Sequence, residues 1–347
     1  MLETKFTRAI GCFVPIQQSG MGAIATPELA AAVSEAGALG MISLIGFPTE
    51  KVVAELQMVR NRTTRPFGAN FLIPNVEGME DLGEIYDPVR AAAKRARLVE
   101  FFYRDPDPDL IRIVHSEGSL AGWQVGSKEE ANAALGAGCD VIIAQGIEAG
   151  GHVRGRIGLM ALLDQVLSMT DLPVIAAGGI GSGRAMAAVL AAGASGVRVG
   201  TRFVAAEESA AHPIYQNSLI KADAEDTVYT DAFSTGWKAP GRVLRACVEA
   251  AQAFQGDVVG ERFLKMDDKW DPIHKFQPVG VTKEIRGNVE AMSQWAGEGV
   301  GNVRKVQPAA EIVKQLATEA EKLLRQWAVD NKGNMIKPTE QILAKTR

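Results

Sequence analysis

The hydrophobic and polar positions of the first two hundred residues repeat one unit eight times. A short apolar run is followed by glycine or polar residues, and then by a helix-like stretch. The runs are FVPIQQS (13–19), LGMISLI (39–45), PFGANFLI (66–73), RLVEFFY (97–103), LAGWQVG (120–126), DVIIAQG (140–146), PVIAAGG (173–179) and GVRVGTRF (196–203). Between them, stretches such as PELAAAVSEAG, EKVVAELQMVR and EEANAALGAG carry apolar residues at i, i+3 and i+4, and glycine commonly closes them, as at helix C-caps. Near-continuous apolar strands alternating with helices predict parallel strands covered by helices. Eight units predict a (β/α)8 TIM barrel over residues 1–204. Beyond it the pattern breaks. Residues 205–330 hold helix-like pieces, RVLRACVEAAQAF and AAEIVKQLATEAEKLLRQW, between glycine- and proline-rich connections. They predict a smaller, mostly helical C-terminal region that caps the barrel. Residues 331–347 read as a polar tail that frays.

Composition narrows the function classes. The chain has 347 residues and a formal net charge of −4, with no cluster of Lys and Arg interleaved with aromatics, so nucleic-acid binding is not expected. Cys12, Cys139 and Cys247 are far apart without CxxC spacing, which argues against a disulfide framework and for a reducing compartment. The N-terminus lacks an apolar signal segment, and no apolar run reaches 18 residues. A soluble, cytoplasmic protein without a membrane span is expected. The four histidines, at 115, 152, 212 and 274, show neither HxH nor HExxH spacing, so no metal site is expected.

In barrels of this kind the active site lies at the C-terminal ends of the strands. That rule selects Ser19, Gly20, Met21 and Gly22, then Asn70, Gln124, Ser127 and Gln145. It also selects the loop with His152, the turn Gly178-Gly179-Ile180, and Gly200-Thr201. Phosphate commonly binds the last two turns, and AAGGIGSGR leads into a helix whose N-terminal end would attract an anion. The plainer reading is that these glycines only make tight turns. A dinucleotide fingerprint in GSGRAMAAVLAAGASG fails, because the GxGxxG pattern is absent. Asn70, Gln124 and Gln145 are amides in apolar strands. Three at one barrel mouth suit a flat polar ligand with many donors and acceptors, such as a flavin. His152, behind Gly150 and Gly151 on the rim, is the candidate catalytic group, since an imidazole exchanges protons near neutral pH. The other three histidines read as helix or peripheral residues.

Taken together, EAGGH, PVIAAGGI, GVRVGTRF and RPFGANF resemble the nitronate monooxygenases (2-nitropropane dioxygenases), and MSQWAGEGVG (292–301) resembles a late loop of that family. The resemblance runs from about Phe13 to Gly301. It implies an FMN-containing barrel closed by a small helical domain, which oxidises nitronates, the anions of nitroalkanes, with O2 to a carbonyl compound and nitrite. It implies His152 as the catalytic residue. The implied FMN contacts are Met21, Gly22, Asn70, Gln124, Gln145, Gly150, Gly151, Ala177, Gly178, Gly179, Gly200 and Thr201. Trp295, Gly297 and Glu298 of the late loop fall on the substrate side. There are departures. Gln124 and Gln145 stand where some relatives carry a lysine and an aspartate, and Glu298 replaces a glutamine, so a carboxylate there would repel a nitronate or select another substrate. Arg154 and Arg156 are either solvated loop charges or an attraction for an anion. Arg198 lies inside a strand and needs a partner that the sequence does not name. Other readings are a flavin-dependent enoyl-thioester reductase using NAD(P)H, a flavin-binding protein without turnover, and a flavin-free phosphate-binding barrel. The C-terminal helices would also offer a surface to a second copy in a homo-oligomer.

Overall fold

The computed structural model describes residues 2–73, 82–236, 238–264 and 268–328; the expected polar tail 331–347 and the end of the capping region lie outside them. Eight parallel strands form the barrel: β1 (Ile16–Gln18), β2 (Gly40–Ser43), β3 (Phe67–Leu72), β4 (Leu98–Phe102), β5 (Leu120–Val125), β6 (Val141–Gln145), β8 (Val174–Ala177) and β9 (Gly196–Val199). Each falls inside one of the eight apolar runs. Strands β1 and β9 pair in parallel, and a parallel bridge from Gln17 to Leu39 brings β2 onto the other side of β1, so the sheet closes on itself. The last run is strand only to Val199. Residues Thr201–Val204 turn into a short helix at the rim, not the strand end that GVRVGTRF suggested.

Alternation along the strands divides the core in two. The outward residues pack under the helices, and the inward ones, among them Leu39, Met41, Leu98, Val141, Ile143 and Ile175, fill the lower barrel. Phe6 and Ile10 of the helix Lys5–Ile10 join that inner cluster, so this helix plugs the N-terminal end. The helices start where side chains replace missing backbone partners. Thr26, Ser127 and Ser182 each cap the helix that follows them. Ser127, which the strand-end rule selected, serves as this cap.

The capping region carries the expected helix Arg245–Ala253, a further helix, Pro213–Lys221, that the pattern did not mark, and two small sheets that it did not announce either. In the first, β10 (Thr227–Thr230) pairs with β11 (Gly241–Leu244), and β11 pairs with β7 (Gly151–His152). In the second, β12 (Val258–Leu264) lies between β13 (Lys269–His274) and β14 (Ile285–Gly287). The last helix, Ala309–Ala328, turns away from the mouth. It packs on the barrel helices Gly183–Ala191 and Pro27–Glu35, and its Ile312, Val313 and Leu316 join the outer core. Among the described residues no helix is long and apolar enough to cross a membrane, and the three cysteines are free and buried.

Candidate active site

A cavity of about 560 Å³ opens where the strand ends meet the capping region. Its floor is polar, with Ser19, Asn70, Gln124, Gln145 and Arg198, and its upper wall includes Ile24, Phe102, Tyr215, Val279 and Trp295. Of the sixteen site residues that the family resemblance implies, fifteen line this one cavity. Glu298 is the exception. Its side chain turns to Arg242, 3.1 Å from Nη2, and does not line the cavity.

His152 reaches the cavity on β7, a two-residue strand that pairs with β11. The cap therefore helps to hold the imidazole in place. Nδ1 lies 3.2 Å from the Ala239 carbonyl. A carbonyl only accepts, so Nδ1 carries the proton and Nε2 is the acceptor nitrogen. The ring packs 4.8 Å from Trp295 and 6.2 Å, edge-on, from Tyr103. Burial among these neighbours pushes its pKa down to about 4, only partly offset by the bond to Ala239. The neutral form thus prevails throughout the physiological range. Unfolded, the group titrates near 6.5. Between pH 6.5 and 4 the unfolded chain then binds the proton that the folded one refuses. The neutral ring's contribution to stability is full above 6.5 and is lost as pH falls toward 4. The acid limb of kcat/KM is accordingly expected near pH 4; a limb centred at 6.5 would contradict this environment.

The two glycines ahead of His152 differ in what surrounds them. Gly151 has φ +80° and open space where a Cβ would stand. Gly150 faces backbone: a Cβ there would overlap the Gly297 amide and press on Ala296. Its bareness lets the late loop lie directly on the barrel rim, not only a ligand. Gly299 is likewise pressed on Gly179 and Gly181, and Gly181 on the Gly299 carbonyl. At these three glycines the nearest neighbour is backbone.

The expected phosphate turns need one correction. The N-terminal end of the helix Gly183–Ala191 is not open to an anion. Glu319 accepts from the Gly183 amide at 2.8 Å, and Ser182 accepts from Ala185. The chain's own carboxylate fills the place, because the last helix packs there. The turns ahead of that helix remain open: among the described residues the amides of Gly179, Ile180, Thr201 and Arg202 donate to no backbone carbonyl, and all four residues line the cavity. Gly178 and Gly179 hold positive φ values of 113° and 67°, which bare backbone adopts without strain. The Thr201 hydroxyl accepts from the Gly297 amide at 3.1 Å, fixing the late loop to this turn.

Arg154 does not await an anion. It is 2.9 Å from Glu130, also pairs with Asp105, and donates to the Tyr103 carbonyl. Arg156 is exposed. Arg198 has a partner that the sequence reading passed over, Glu100 of β4, 2.7 Å away and fully buried. A charge at an inward position of the apolar run RLVEFFY was the available signal. His115 pairs with Asp140, His212 caps the helix Pro213–Lys221, and His274 pairs with Asp257; none lines the cavity.

The polar floor fits a flavin. Among the described residues, two buried side-chain atoms of floor residues have no partner: Arg198 Nη1, a donor, and Gln145 Oε1, an acceptor. A flavin ring and ribityl chain carry both complements, and the open amides suit a terminal phosphate. A site of this size also leaves room for a small co-substrate.

Such a barrel, with an imidazole and unpaired polar atoms at its mouth, has the layout of an enzyme site at the C-terminal ends of the strands. A family model described as nitronate monooxygenase matches residues 4–319. The nitronate monooxygenase of Pseudomonas aeruginosa strain PAO1 is 34% identical, over 92% of this chain and 99% of that one. The structure of FabK from Thermotoga maritima is similar at a TM-score of 0.77 and 30% identity, covering 94% of this chain and 99% of that one. The nitroalkane oxidase from Streptomyces ansochromogenes is similar at a TM-score of 0.71 and 30% identity, over 93% of this chain and 100% of that one. The chain belongs to the nitronate monooxygenase family, a family of flavin-dependent oxidoreductases.

Proposed function

We propose that the protein binds FMN at the barrel mouth and oxidises alkyl nitronates with O2 to a carbonyl compound and nitrite. The single observation that carries the reading is the placement of His152: its acceptor nitrogen is fixed by the Ala239 bond, at the wall of a cavity whose floor has unfilled polar atoms. The turns at 178–181 and 200–202 would hold the phosphate, and Asn70, Gln124, Gln145 and Arg198 the ring and ribityl chain. When bound, FMN supplies the electron transfer; the chain's own residues position and polarise. Neutral His152 takes an α-proton from a nitroalkane through Nε2, or orients the nitronate. Trp295 and the late loop keep water from the reacting carbon. The division into a barrel (1–204) and a capping region (205–330) belongs to this reading, with the cap as the part that shapes the substrate chamber.

A second reading, an enoyl-thioester reductase using NAD(P)H, draws on the likeness to FabK and on the apolar upper wall. Both need the flavin. The purified protein is therefore expected to be yellow, with flavin absorption bands and FMN released on denaturation. A colourless protein that takes up no added FMN would sink both.

A further inference from the structure

Beneath the cavity the barrel carries a buried ion pair, Glu100 with Arg198. Glu100 on β4 is fully buried and Arg198 on β9 is 6% exposed. Below them the interior is apolar. Exchanging a buried pair for apolar residues of similar volume is commonly neutral or stabilising, so the charges point to a use.

The hydrogen bonds show what they are arranged for. Glu100 Oε1 receives Arg198 Nη2 at 2.7 Å and Asn70 Nδ2 at 2.9 Å, and Oε2 receives Gln17 Nε2 at 2.7 Å. A carboxylate only accepts, so the Asn70 amide is fixed with its NH2 toward Glu100. Its Oδ1 lies toward Gly20, where a Cβ would come within 2.8 Å of it. Arg198 Nε donates to Ser19 Oγ at 3.1 Å, and Nη1 is buried without a partner. Arg198 lines the cavity and Glu100 does not. The pair is neutral in sum, but its positive end is at the floor and its negative end is set back.

We propose that Arg198, oriented by Glu100, donates Nη1–H to an acceptor on the bound flavin and sets that flavin's affinity for electrons. This rests on the flavin reading above. Reduction adds negative charge to the ring, and a fixed cationic donor at close range favours the charged form. Glu100 has two effects: it holds the guanidinium in place, and it tempers its charge. Glu100 is thus a positioning residue, and Arg198 the group that touches the cofactor.

The two effects predict shifts of opposite sign in the midpoint potential of the flavin-loaded protein, measured by reductive titration against a reference dye. Glu100→Gln keeps the shape and leaves the cation untempered, so its potential is expected to move positive. The double variant Glu100→Gln/Arg198→Met removes both charges without stranding either, so its potential is expected to move negative. Arg198→Lys, which keeps the charge, is expected to stay nearer the wild type than the double variant does. Midpoints for Glu100→Gln and the double variant that equal the wild type's would overturn the proposal, even if both unfold at lower temperature, because a purely structural pair moves stability and not potential. A negative shift in Glu100→Gln would overturn it as well. Should the double variant fail to fold, the positive shift in Glu100→Gln is still required. A wild-type protein that cannot be loaded with FMN would instead refute the cofactor reading, which keeps the two failures apart.

Discussion

His152→Ala is expected to lower kcat for a neutral nitroalkane by about 10²–10⁴-fold, the range for losing a positioned general base. A pre-formed nitronate should lose less, because it arrives without the α-proton. This asymmetry follows from the tautomer. Nδ1–H is committed to the Ala239 carbonyl, which leaves Nε2 as an acceptor. An acceptor nitrogen suits proton abstraction better than it suits holding an anion. Burial keeps the ring neutral down to about pH 4, so the acceptor form is present at neutral pH, while the same burial weakens it as a base. Parallel rate measurements with a nitroalkane and its nitronate, on flavin-loaded wild type and variant, check the expectation. Equal losses on both would assign His152 to orientation alone.

Gly181→Ala is expected to weaken flavin binding without removing any side chain from the site. The new methyl group would overlap the Gly299 carbonyl and crowd the Asn302 side chain, which already lies within 3.0 Å of that point. Neither backbone can give without lifting the late loop from the turn that lines the cavity. Overpacking of this kind costs about 1–3 kcal/mol. If that strain is released by moving the loop, FMN affinity should fall about tenfold or more. Gly136→Ala is the control, since a Cβ there meets nothing within 4 Å and sits in the helix Lys128–Ala137. Fluorescence titration of FMN into the two apoproteins reads the difference directly. Equal affinities would show that the loop contact does not support the site.

The barrel could be read from the chain because its signal is local. Parallel strands buried on both faces are apolar throughout, and glycine marks the helix ends. The amides Asn70, Gln124 and Gln145 stood out against those runs for the same reason, as did His152 among its glycines. What stayed hidden depends on residues distant in sequence. Glu100 sat in plain view, yet its partner lies on another strand. The helix N-terminus at Gly183 looked like an anion site until the last helix brought Glu319 to it. Gly150 looked like a ligand contact alone, although its missing side chain also makes room for Gly297. The strands of the small cap sheets are either very short, like β7 and β14, or, like β12 and β13, mostly exposed without a regular alternation, so they give no clear period. In particular β7 has two residues, and only its pairing with β11 makes it a strand.

Anaerobic mixing of the flavin-loaded protein with an alkyl nitronate, and separately with NADPH, tests the central claim most directly. The account predicts that the nitronate bleaches the flavin within a catalytic turnover, that NADPH does so far more slowly, and that admitting O2 to the nitronate sample yields nitrite. Rapid bleaching by NADPH with none by the nitronate would contradict it and make the protein a reductase.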